Sequence, residues 1–257
     1  MSLPETRPAN PGARSDTVRD GVKVPVSDAV QVELAAVAER YARRAPTDRY
    51  SLLQPDVWQL VHERQRAWLQ GLVARGLTDT AALQLVEVGC GAGGNLQEWL
   101  RLGLRPEHLT GCELLPERLA QAREVLPVNV RLVAGDASTL DIAPASQDLV
   151  LQATVFSSLL DDAVQQQLAE AMWRWLKPGG HVLWYDFTMD NPRNPDVRGV
   201  PLRRVQALFP QGRIHAQRIT LAPPIARRVC ALHPALYSVF NALPWLRTHR
   251  LAWIQKS

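Results

Sequence analysis

Between residues 83 and 208 the chain alternates short apolar runs with segments of helical spacing, which restricts the fold more than any other feature. Strands separated by helices favour a parallel sheet with helices on both faces. Short, wholly apolar strands such as "DLVLQA" suit a sheet that is buried on both sides. The spacing predicts strands at 83–88, 108–113, 129–134, 148–153 and 181–187, and helices near 93–103, 116–125, 162–176 and 201–208.

The end of the chain departs from this alternation. Two further strands are predicted at 212–222 and 247–257. The segment between them, 223–246, is too long for a hairpin turn, and its apolar residues predict one or two short helices broken at Pro234 and Pro244.

The first part of the chain is helical or unstructured by the same criteria. Helical spacing is found at 27–45 and 56–75, while the beginning is polar and rich in Pro, Arg and Gly. We therefore expect a disordered tail at 1–25, N-terminal helices at 26–80, and one domain at 81–257 with a helical insert at about 223–246.

Composition excludes several classes of protein. No apolar run approaches the roughly 18 residues of a membrane span, and the N-terminus lacks the apolar run of a signal peptide. The three cysteines, Cys90, Cys112 and Cys230, form neither a CxxC pair nor a zinc pattern. These features indicate a reduced, cytoplasmic setting and no metal site.

Charge is distributed unevenly along the chain. From Arg193 onward, ten Arg and one Lys face a single acid, Asp196, so this quarter carries a net +10 and the rest −6 of the overall +4. One interpretation is a solvated, arginine-rich surface. The other is a basic region that meets an anionic acceptor, nucleic acid or lipid headgroup.

A glycine-rich turn, "EVGCGAGG", joins the first predicted strand to the next helix. Glycine tolerates positive φ and allows the backbone to approach a ligand closely, and the following helix start attracts polar or anionic groups. The glycines fit two templates. Gly89, Gly91 and Gly94 form a dinucleotide GxGxxG pattern, whereas Glu87, Gly89, Gly91 and Gly93 form an acidic-x-G-x-G-x-G pattern.

Features further along the chain bear on the ligand. Glu113 ends the second strand 19 residues after Gly94, close to the ~20 residues expected for an acid that binds a ribose diol. Gly135-Asp136 stands at the end of the third strand, where the carboxylate of Asp136 can accept a hydrogen bond from an adenine amino group. "LKPGG" at 176–180 ends a helix and leads directly into a strand.

Together these segments resemble the class I S-adenosylmethionine-dependent methyltransferases. The resemblance covers about residues 50–257 and is carried by "VEVGCGAGG", Glu113, "AGDA", "DLVLQATVF" and "LKPGG". It implies a doubly wound α/β fold, Rossmann-like, with a seven-stranded, mostly parallel sheet whose last strand is antiparallel. It also implies S-adenosyl-L-methionine as the cofactor.

The resemblance also implies roles for individual residues. The acid and glycines of the turn would hold the methionine part, Glu113 the ribose hydroxyls, Leu114 one face of the adenine, and Asp136 with Ala137 its edge. Gln152 would border the sulfonium, with Thr154 and Phe156 near the acceptor. The residues of the turn concerned are Glu87, Gly89, Gly91 and Gly93.

Methyl transfer from a sulfonium is an in-line displacement, so the protein mainly aligns the groups and excludes water. Asp186 and Tyr185, near the end of a strand, are the candidate catalytic residues, and strand alternation directs only one of them to the site. The alternative is that Asp186 braces the next loop. In the stiff loop "TMDNPRNPDVRGV", Asn191 and Arg193 are candidate acceptor contacts, although a rigid turn with a solvated arginine explains it equally well.

The leading hypothesis is a methyltransferase that acts, at oxygen, on a small hydroxylated acceptor: a sugar, a lipid-linked molecule or a secondary metabolite. "WYDF…NPRNPDVRG" resembles a bacterial subgroup associated with such acceptors, and the 223–246 insert allows peripheral contact with a membrane.

An RNA methyltransferase is the alternative. "ATVF" in place of an Asn/Asp-Pro-Pro-aromatic tetrad, and the lack of a separate RNA-binding module, speak against it. A nicotinamide-dependent oxidoreductase conflicts with "LKPGG" and "GDA", and an inactive scaffold would have lost motif residues.

Overall fold

The computed structural model describes residues 28–43, 51–190 and 194–257 and contains a seven-stranded mixed sheet. In chain order the strands are β1 (Leu85–Val88), β2 (Leu109–Glu113), β3 (Arg131–Ala134), β4 (Gln147–Ala153), β5 (Leu176–Phe187), β6 (Arg213–Leu221) and β7 (Arg247–Gln255). Their order across the sheet is β3-β2-β1-β4-β5-β7-β6. The first five strands are parallel, and β7 runs antiparallel to both β5 and β6. The predicted fold class is therefore confirmed.

Eight α-helices occur in the described residues: α1 (Asp28–Ala42), α2 (Pro55–Ala74), α3 (Gly94–Arg101), α4 (Pro116–Val125), α5 (Asp162–Trp175), α6 (Leu202–Leu208), α7 (Pro223–Leu232) and α8 (Leu236–Asn241). Several begin where the sequence provides a start signal. Pro116 and Pro223 occupy first-turn positions, where the missing N–H has no intrahelical partner to lose. The Asp161 carboxylate caps α5 by accepting from two backbone amides.

Side-chain alternation along the strands gives the sheet two apolar faces. Val86 and Val150 contribute to the core on one side, which is completed by α5 and α6. Leu85 and Leu151 contribute to the core on the other side, where Trp68 of α2 stacks on Trp99 of α3 with ring centroids 5.1 Å apart. Successive residues point to opposite faces, so each of these short strands supplies both cores.

The direction of the strands places the loops that follow β1, β2, β4, β5 and β6 at the same edge of the sheet. β1, β2, β4 and β5 all end at this edge, β6 also ends there and the antiparallel β7 begins there. We call it the carboxyl edge. Helices α7 and α8, which connect β6 to β7, lie at the carboxyl edge, where open α/β sheets bind their ligands.

Two boundaries differ from the sequence prediction. β5 begins at Leu176, not at 181, because the backbone N–H of Gly179 donates to the carbonyl of Lys256, just after β7, and the N–H of Lys256 donates to the carbonyl of Gly180. α7 begins directly after β6, so the 223–246 insert is two helices, as the prolines indicate. The predicted tail at 1–25 lies outside the described residues, and the division into domains stays a prediction.

Candidate functional site

The glycine turn after β1 is built from left-handed backbone. Gly89, Gly91 and Gly93 have φ of 66°, 56° and 85°, which other residues adopt only with strain. A Cβ at Gly89 would lie 2.6 Å from Val155, and one at Gly93 would lie 2.8 Å from Leu126. Gly93 thus allows α3 and α4 to pack, whereas a Cβ at Gly91 has no described neighbour closer than 3.8 Å.

Glu113 fastens this turn to the end of β2. Its carboxylate accepts from the backbone N–H of Gly91 at 2.8 Å and from that of Leu115 at 2.9 Å. A carboxylate has about four acceptor positions, so two remain for a ligand. The β2–β3 register places Glu113 directly beside Ala134, just before the next acidic residue of the site.

Asp136 lies beyond the end of β3 and caps a short 3-10 turn. It accepts from the backbone N–H of Ser138 at 2.8 Å and from the hydroxyl of the same residue at 2.7 Å. Gly135 before it has φ 108°, and a Cβ there would meet no described atom within 4 Å. The backbone therefore leaves open space beside Gly135.

Both carboxylates, those of Glu113 and Asp136, line a pocket of about 130 Å³ that opens to solvent at the carboxyl edge. Six of the predicted site residues line it: Gly89, Glu113, Leu114, Asp136, Ala137 and Thr154. The sequence prediction missed its other walls, which include Leu34, Val37 and Tyr41 of α1, Arg118 of α4, and Val164 and Leu168 of α5. In the sequence, the only sign of these wall residues is the apolar faces of α1 and α5. Such faces are usual in helices that pack on a core, so they do not indicate a pocket.

Helix α1 covers the pocket from one side and is held by polar contacts. Arg40 donates to the carbonyl of Ser158 at 2.9 Å and pairs with Glu33 at 2.7 Å, and Glu33 accepts from the backbone N–H of Leu160 at 2.7 Å. The guanidinium of Arg118 lies 4.8 Å from the Tyr41 ring centroid. These contacts close the pocket between α1 and the loop that follows β4.

The carboxylate of Glu87 is placed differently from the other predicted cofactor residues. It is fully buried on the α2–α3 face and accepts from the amide of Asn95 at 2.6 Å, and it does not line the pocket. Its Oε2 has no hydrogen-bond partner among the described residues. Burial raises the pKa of Glu87 to about 8, against the opposing effects of Asn95 and the nearby charge of Arg64.

The residues after β4 divide between the pocket and the core. Thr154 adopts φ 60° and lines the pocket. Gln152 is fully buried, and its side chain accepts from the backbone N–H of Val155 at 3.1 Å, so it braces this turn. Phe156 is also fully buried, with its ring centroid 4.4 Å from that of Trp184, and it packs in the core away from the pocket.

Tyr185 and Asp186 lie on opposite faces of β5, as strand alternation predicts. Asp186 is fully buried and accepts from the backbone N–H groups of Ser157 and Phe187 at 3.1 and 3.0 Å. Burial raises its pKa to about 7. One carboxylate oxygen thus braces the loop after β4 and the other accepts from the next residue of β5, and neither Asp186 nor Tyr185 lines the pocket. Their catalytic role stays a prediction.

The ring of Tyr185 lies in a polar cluster at the carboxyl edge of β5, β6 and β7. Its hydroxyl is 2.9 Å from that of Thr220, and its ring stacks on His249 with centroids 5.0 Å apart. Burial raises the pKa of Tyr185 to about 12, and burial together with the charge of Arg64 lowers that of His249 to about 4. Both side chains are therefore neutral near pH 7.

Two of the predicted acceptor contacts, Asn191 and Arg193, lie outside the described residues. Within the described ranges, no group of three His, Cys, Asp or Glu side chains could hold a metal ion. No helix of those ranges is long and apolar enough to cross a membrane.

Comparison with known proteins agrees with this geometry. Residues 85–180, from β1 into the start of β5, match the family model described as a methyltransferase domain. Among curated proteins no sequence matches the chain.

Solved structures share the fold at low sequence identity. A SAM-dependent methyltransferase from Archaeoglobus fulgidus is 11% identical, covers 77% of this chain and 99% of its own, and has a TM-score of 0.55. An S-adenosylmethionine-dependent methyltransferase from Mesorhizobium loti is 16% identical, with coverages of 72% and 96% and a TM-score of 0.52. Geranyl diphosphate C-methyltransferase from Streptomyces coelicolor A3(2), crystallised with S-adenosyl-L-homocysteine, is 17% identical, with coverages of 74% and 74% and a TM-score of 0.52.

The family match, the strand order and the glycine turn define the class. Residues 85–180 match a methyltransferase domain, and the chain has the fold of the S-adenosylmethionine-dependent methyltransferases of known structure.

Proposed function

We propose that this protein transfers the methyl group of S-adenosylmethionine to a hydroxyl oxygen of a small acceptor by in-line displacement. The observation that carries the proposal is that Glu113 and Asp136, at the ends of adjacent strands, line one pocket with Gly89. A carboxylate that keeps free acceptor positions suits a ribose diol, and a second one suits an adenine amino group.

The open space at Gly135 supports this assignment of the adenosine part. Gly135 lines the pocket, and a Cβ there would meet no described atom within 4 Å. Glu113 would hold the ribose hydroxyls, Asp136 and Ala137 the adenine edge, and Leu114 one adenine face. The cofactor supplies a methyl group already activated on a sulfonium, so the chain's own task is to position it.

Exclusion of water falls to α1 in this proposal. Displacement at a sulfonium is assisted by a dry, oriented site. Arg40 and Glu33 attach α1 to the loop at Ser158–Leu160, and Tyr41 forms part of the pocket wall. The helix therefore covers the pocket without contributing a group to the chemistry.

The assignment to a hydroxylated acceptor rests on the sequence resemblance. Tyr185 and Thr220 are buried, form a hydrogen bond with each other, lie beside the charged Arg64 and do not line the pocket, so they do not select the acceptor. Asp186 uses its two carboxylate oxygens for backbone amides, so the proposal assigns early proton removal to no residue. A sugar, a lipid-linked molecule or a secondary metabolite all fit this description.

The proposal is tested with labelled S-adenosylmethionine and a panel of acceptors: sugars, lipid-linked sugars, phenolic metabolites, amines and RNA. We expect a methyl ether product, identified by mass spectrometry, from a hydroxylated small molecule only. Labelled methyl groups in RNA would favour the alternative function, and methylation confined to carbon or nitrogen would contradict the assignment to oxygen.

A further inference from the structure

Helices α7 and α8 carry apolar side chains on two sides. One side is buried in a small core formed by Ala226, Val229, Cys230 and Tyr237, with Leu221 of β6. The other side is uncovered, with exposed fractions of 81% for Leu232, 63% for Val239 and 70% for Trp245, and with Phe240 and Leu243 also exposed. A helix that is apolar all round normally has partners on every side.

No charged residue interrupts this surface. The eighteen residues 229–246, "VCALHPALYSVFNALPWL", contain neither an acid nor Lys or Arg. The exposed positions among them are therefore apolar, or at most His and Ser. Scattered surface leucines need no explanation, but a contiguous apolar surface marks an interaction site.

Arginines border the surface at both ends. Arg227 and Arg228 precede it on α7, and Arg228 stands four residues before the exposed Leu232, which puts the two on the same helix face. Arg247 and Arg250 follow it on β7. Among the described residues, Arg227, Arg228 and Arg250 form no ion pair, and no acid occurs in the sequence after Asp196.

Helix α2 packs against α7, and burial, with a smaller effect of Asp56, raises the pKa of the Cys230 thiol. Nearby in sequence, Trp58 is half exposed and Leu53 almost fully exposed. Two tryptophans therefore stand among aliphatic side chains, a composition typical of segments that lie at a membrane–water interface.

We propose that the exposed sides of α7 and α8, with Arg227 and Arg228 at their border, form a docking surface for an anionic lipid bilayer. Aliphatic and tryptophan side chains enter the boundary between headgroups and acyl chains, while arginines keep their charged ends among the lipid phosphates. A nucleic acid would use the arginines and stack on the aromatic rings, but Leu232, Val239 and Leu243 would gain nothing from it. The lipid surface accounts for both the charge and the aliphatic groups.

The surface lies at the carboxyl edge, because α7 and α8 connect the end of β6 to the start of β7. Docking would therefore turn the carboxyl edge of the sheet, where the pocket opens, towards the membrane. The proposal concerns binding alone and stands whether or not the acceptor is lipid-linked.

Sedimentation with vesicles tests the proposal directly. The full chain is mixed with vesicles of phosphatidylglycerol and phosphatidylcholine in equal parts, or of phosphatidylcholine alone, and the bound fraction is measured. We expect binding to the anionic vesicles and a fall of at least about tenfold in partitioning for the double variant Val239→Ser/Trp245→Ser. Arg227→Gln and Arg228→Gln should each weaken binding by about fivefold.

Matched controls separate this surface from general effects. One control is Val128→Ser, because Val128 is 97% exposed in the loop between α4 and β3. The other is Arg123→Gln, because Arg123 is exposed on α4. Both should bind vesicles as the unaltered protein does, and thermal melts should show that every variant is folded.

Three results would overturn the proposal. The first is a protein that does not sediment with anionic vesicles. The second is a Val239→Ser/Trp245→Ser variant that sediments as well as the Val128→Ser control. The third is light scattering that shows a dimer which this double variant abolishes, since the surface would then belong to a contact between two copies of the chain.

Discussion

The carboxylate of Glu113 accepts the backbone N–H of Gly91 at 2.8 Å, and this bond joins the glycine turn after β1 to the end of β2. The same side chain lines the cofactor pocket. One residue therefore shapes the turn and faces the ligand, and both functions use its two carboxylate oxygens.

Replacing this carboxylate with an amide should affect binding and stability together. In Glu113→Gln one amide oxygen faces two backbone donors, so a charge-assisted hydrogen bond worth about 1.5–3 kcal/mol is lost. We expect the Kd for S-adenosylmethionine to rise at least about tenfold, which titration calorimetry measures. Glu124→Gln, on the exposed side of α4, is the control. Equal affinities for the two variants would show that Glu113 is only structural.

The backbone conformation at position 91, more than the space around it, should decide which side chains can replace Gly91. Its φ of 56° disfavours a branched side chain by about 1–2 kcal/mol, whereas Asn visits this region readily. We expect Gly91→Val to abolish cofactor binding while the fold survives, and Gly91→Asn to fold with little loss of stability and to bind more weakly than the unaltered protein. Thermal melts and calorimetry measure both effects. Persistent binding by the valine variant would mean that the turn does not contact the cofactor.

The buried carboxyl of Glu87 should make stability depend on pH. Burial raises its pKa from 4.5 to about 8, so between these values the folded protein keeps a proton that the unfolded chain loses. Its stabilising contribution is therefore complete below about pH 4.5 and is lost as the pH rises towards 8, by at most about 1.4 kcal/mol per pH unit.

Glu87→Gln removes this titration and keeps the shape of the side chain. Between pH 5 and 8 the free energy of unfolding should fall less steeply for the variant than for the unaltered protein, with a remaining slope from Asp186, whose pKa is also raised. Urea unfolding at several pH values supplies the comparison. Parallel curves would mean that Glu87 is ionised in the folded protein.

Glu63 of α2 should anchor α8 and the end of β6. Helix α7 packs with α8 in one small core, and we call these two helices the cap. Its carboxylate accepts from the hydroxyl of Tyr237 and the amide of Asn241, both at 2.7 Å, and from the backbone N–H of Thr220 at 3.1 Å. Glu63→Ala leaves these buried donors unpaired, so we expect a loss of about 3 kcal/mol or more in unfolding free energy.

The cost should concentrate in the cap. Limited trypsin digestion of Glu63→Ala should cleave after Arg227 or Arg228 much faster than in the unaltered protein, while Glu63→Gln, which keeps an acceptor oxygen, should lie between the two. An alanine variant as resistant as the unaltered protein would contradict the anchoring role.

Local patterns were sufficient to predict the strands but not their arrangement. The first five follow from short apolar runs, and the opposite directions of Tyr185 and Asp186 follow from strand alternation, whereas the antiparallel last strand was implied by the family resemblance. The pocket positions of Glu113 and Asp136 were also predictable, because both follow directly from the ends of parallel strands, which meet at one edge.

Other parts of the site depend on contacts that no local pattern encodes. All four residues of β1 are buried, so alternation could not tell that Glu87 faces α2 and α3 and not the pocket. The covering by α1 rests on Arg40 and Ser158, which are 118 positions apart. Phe156 follows β4 as an acceptor contact would, yet its ring fills the core beside Trp184.

The claim that the pocket between the glycine turn and Asp136 holds a sulfonium nucleoside is tested most directly by titration calorimetry with S-adenosylmethionine and, separately, NAD. The account predicts one binding site for S-adenosylmethionine, lost in Asp136→Ala and unchanged in the control Asp141→Ala, and no heat with NAD. Binding of NAD, or S-adenosylmethionine affinity that is the same in Asp136→Ala, Glu113→Gln and the unaltered protein, would contradict it.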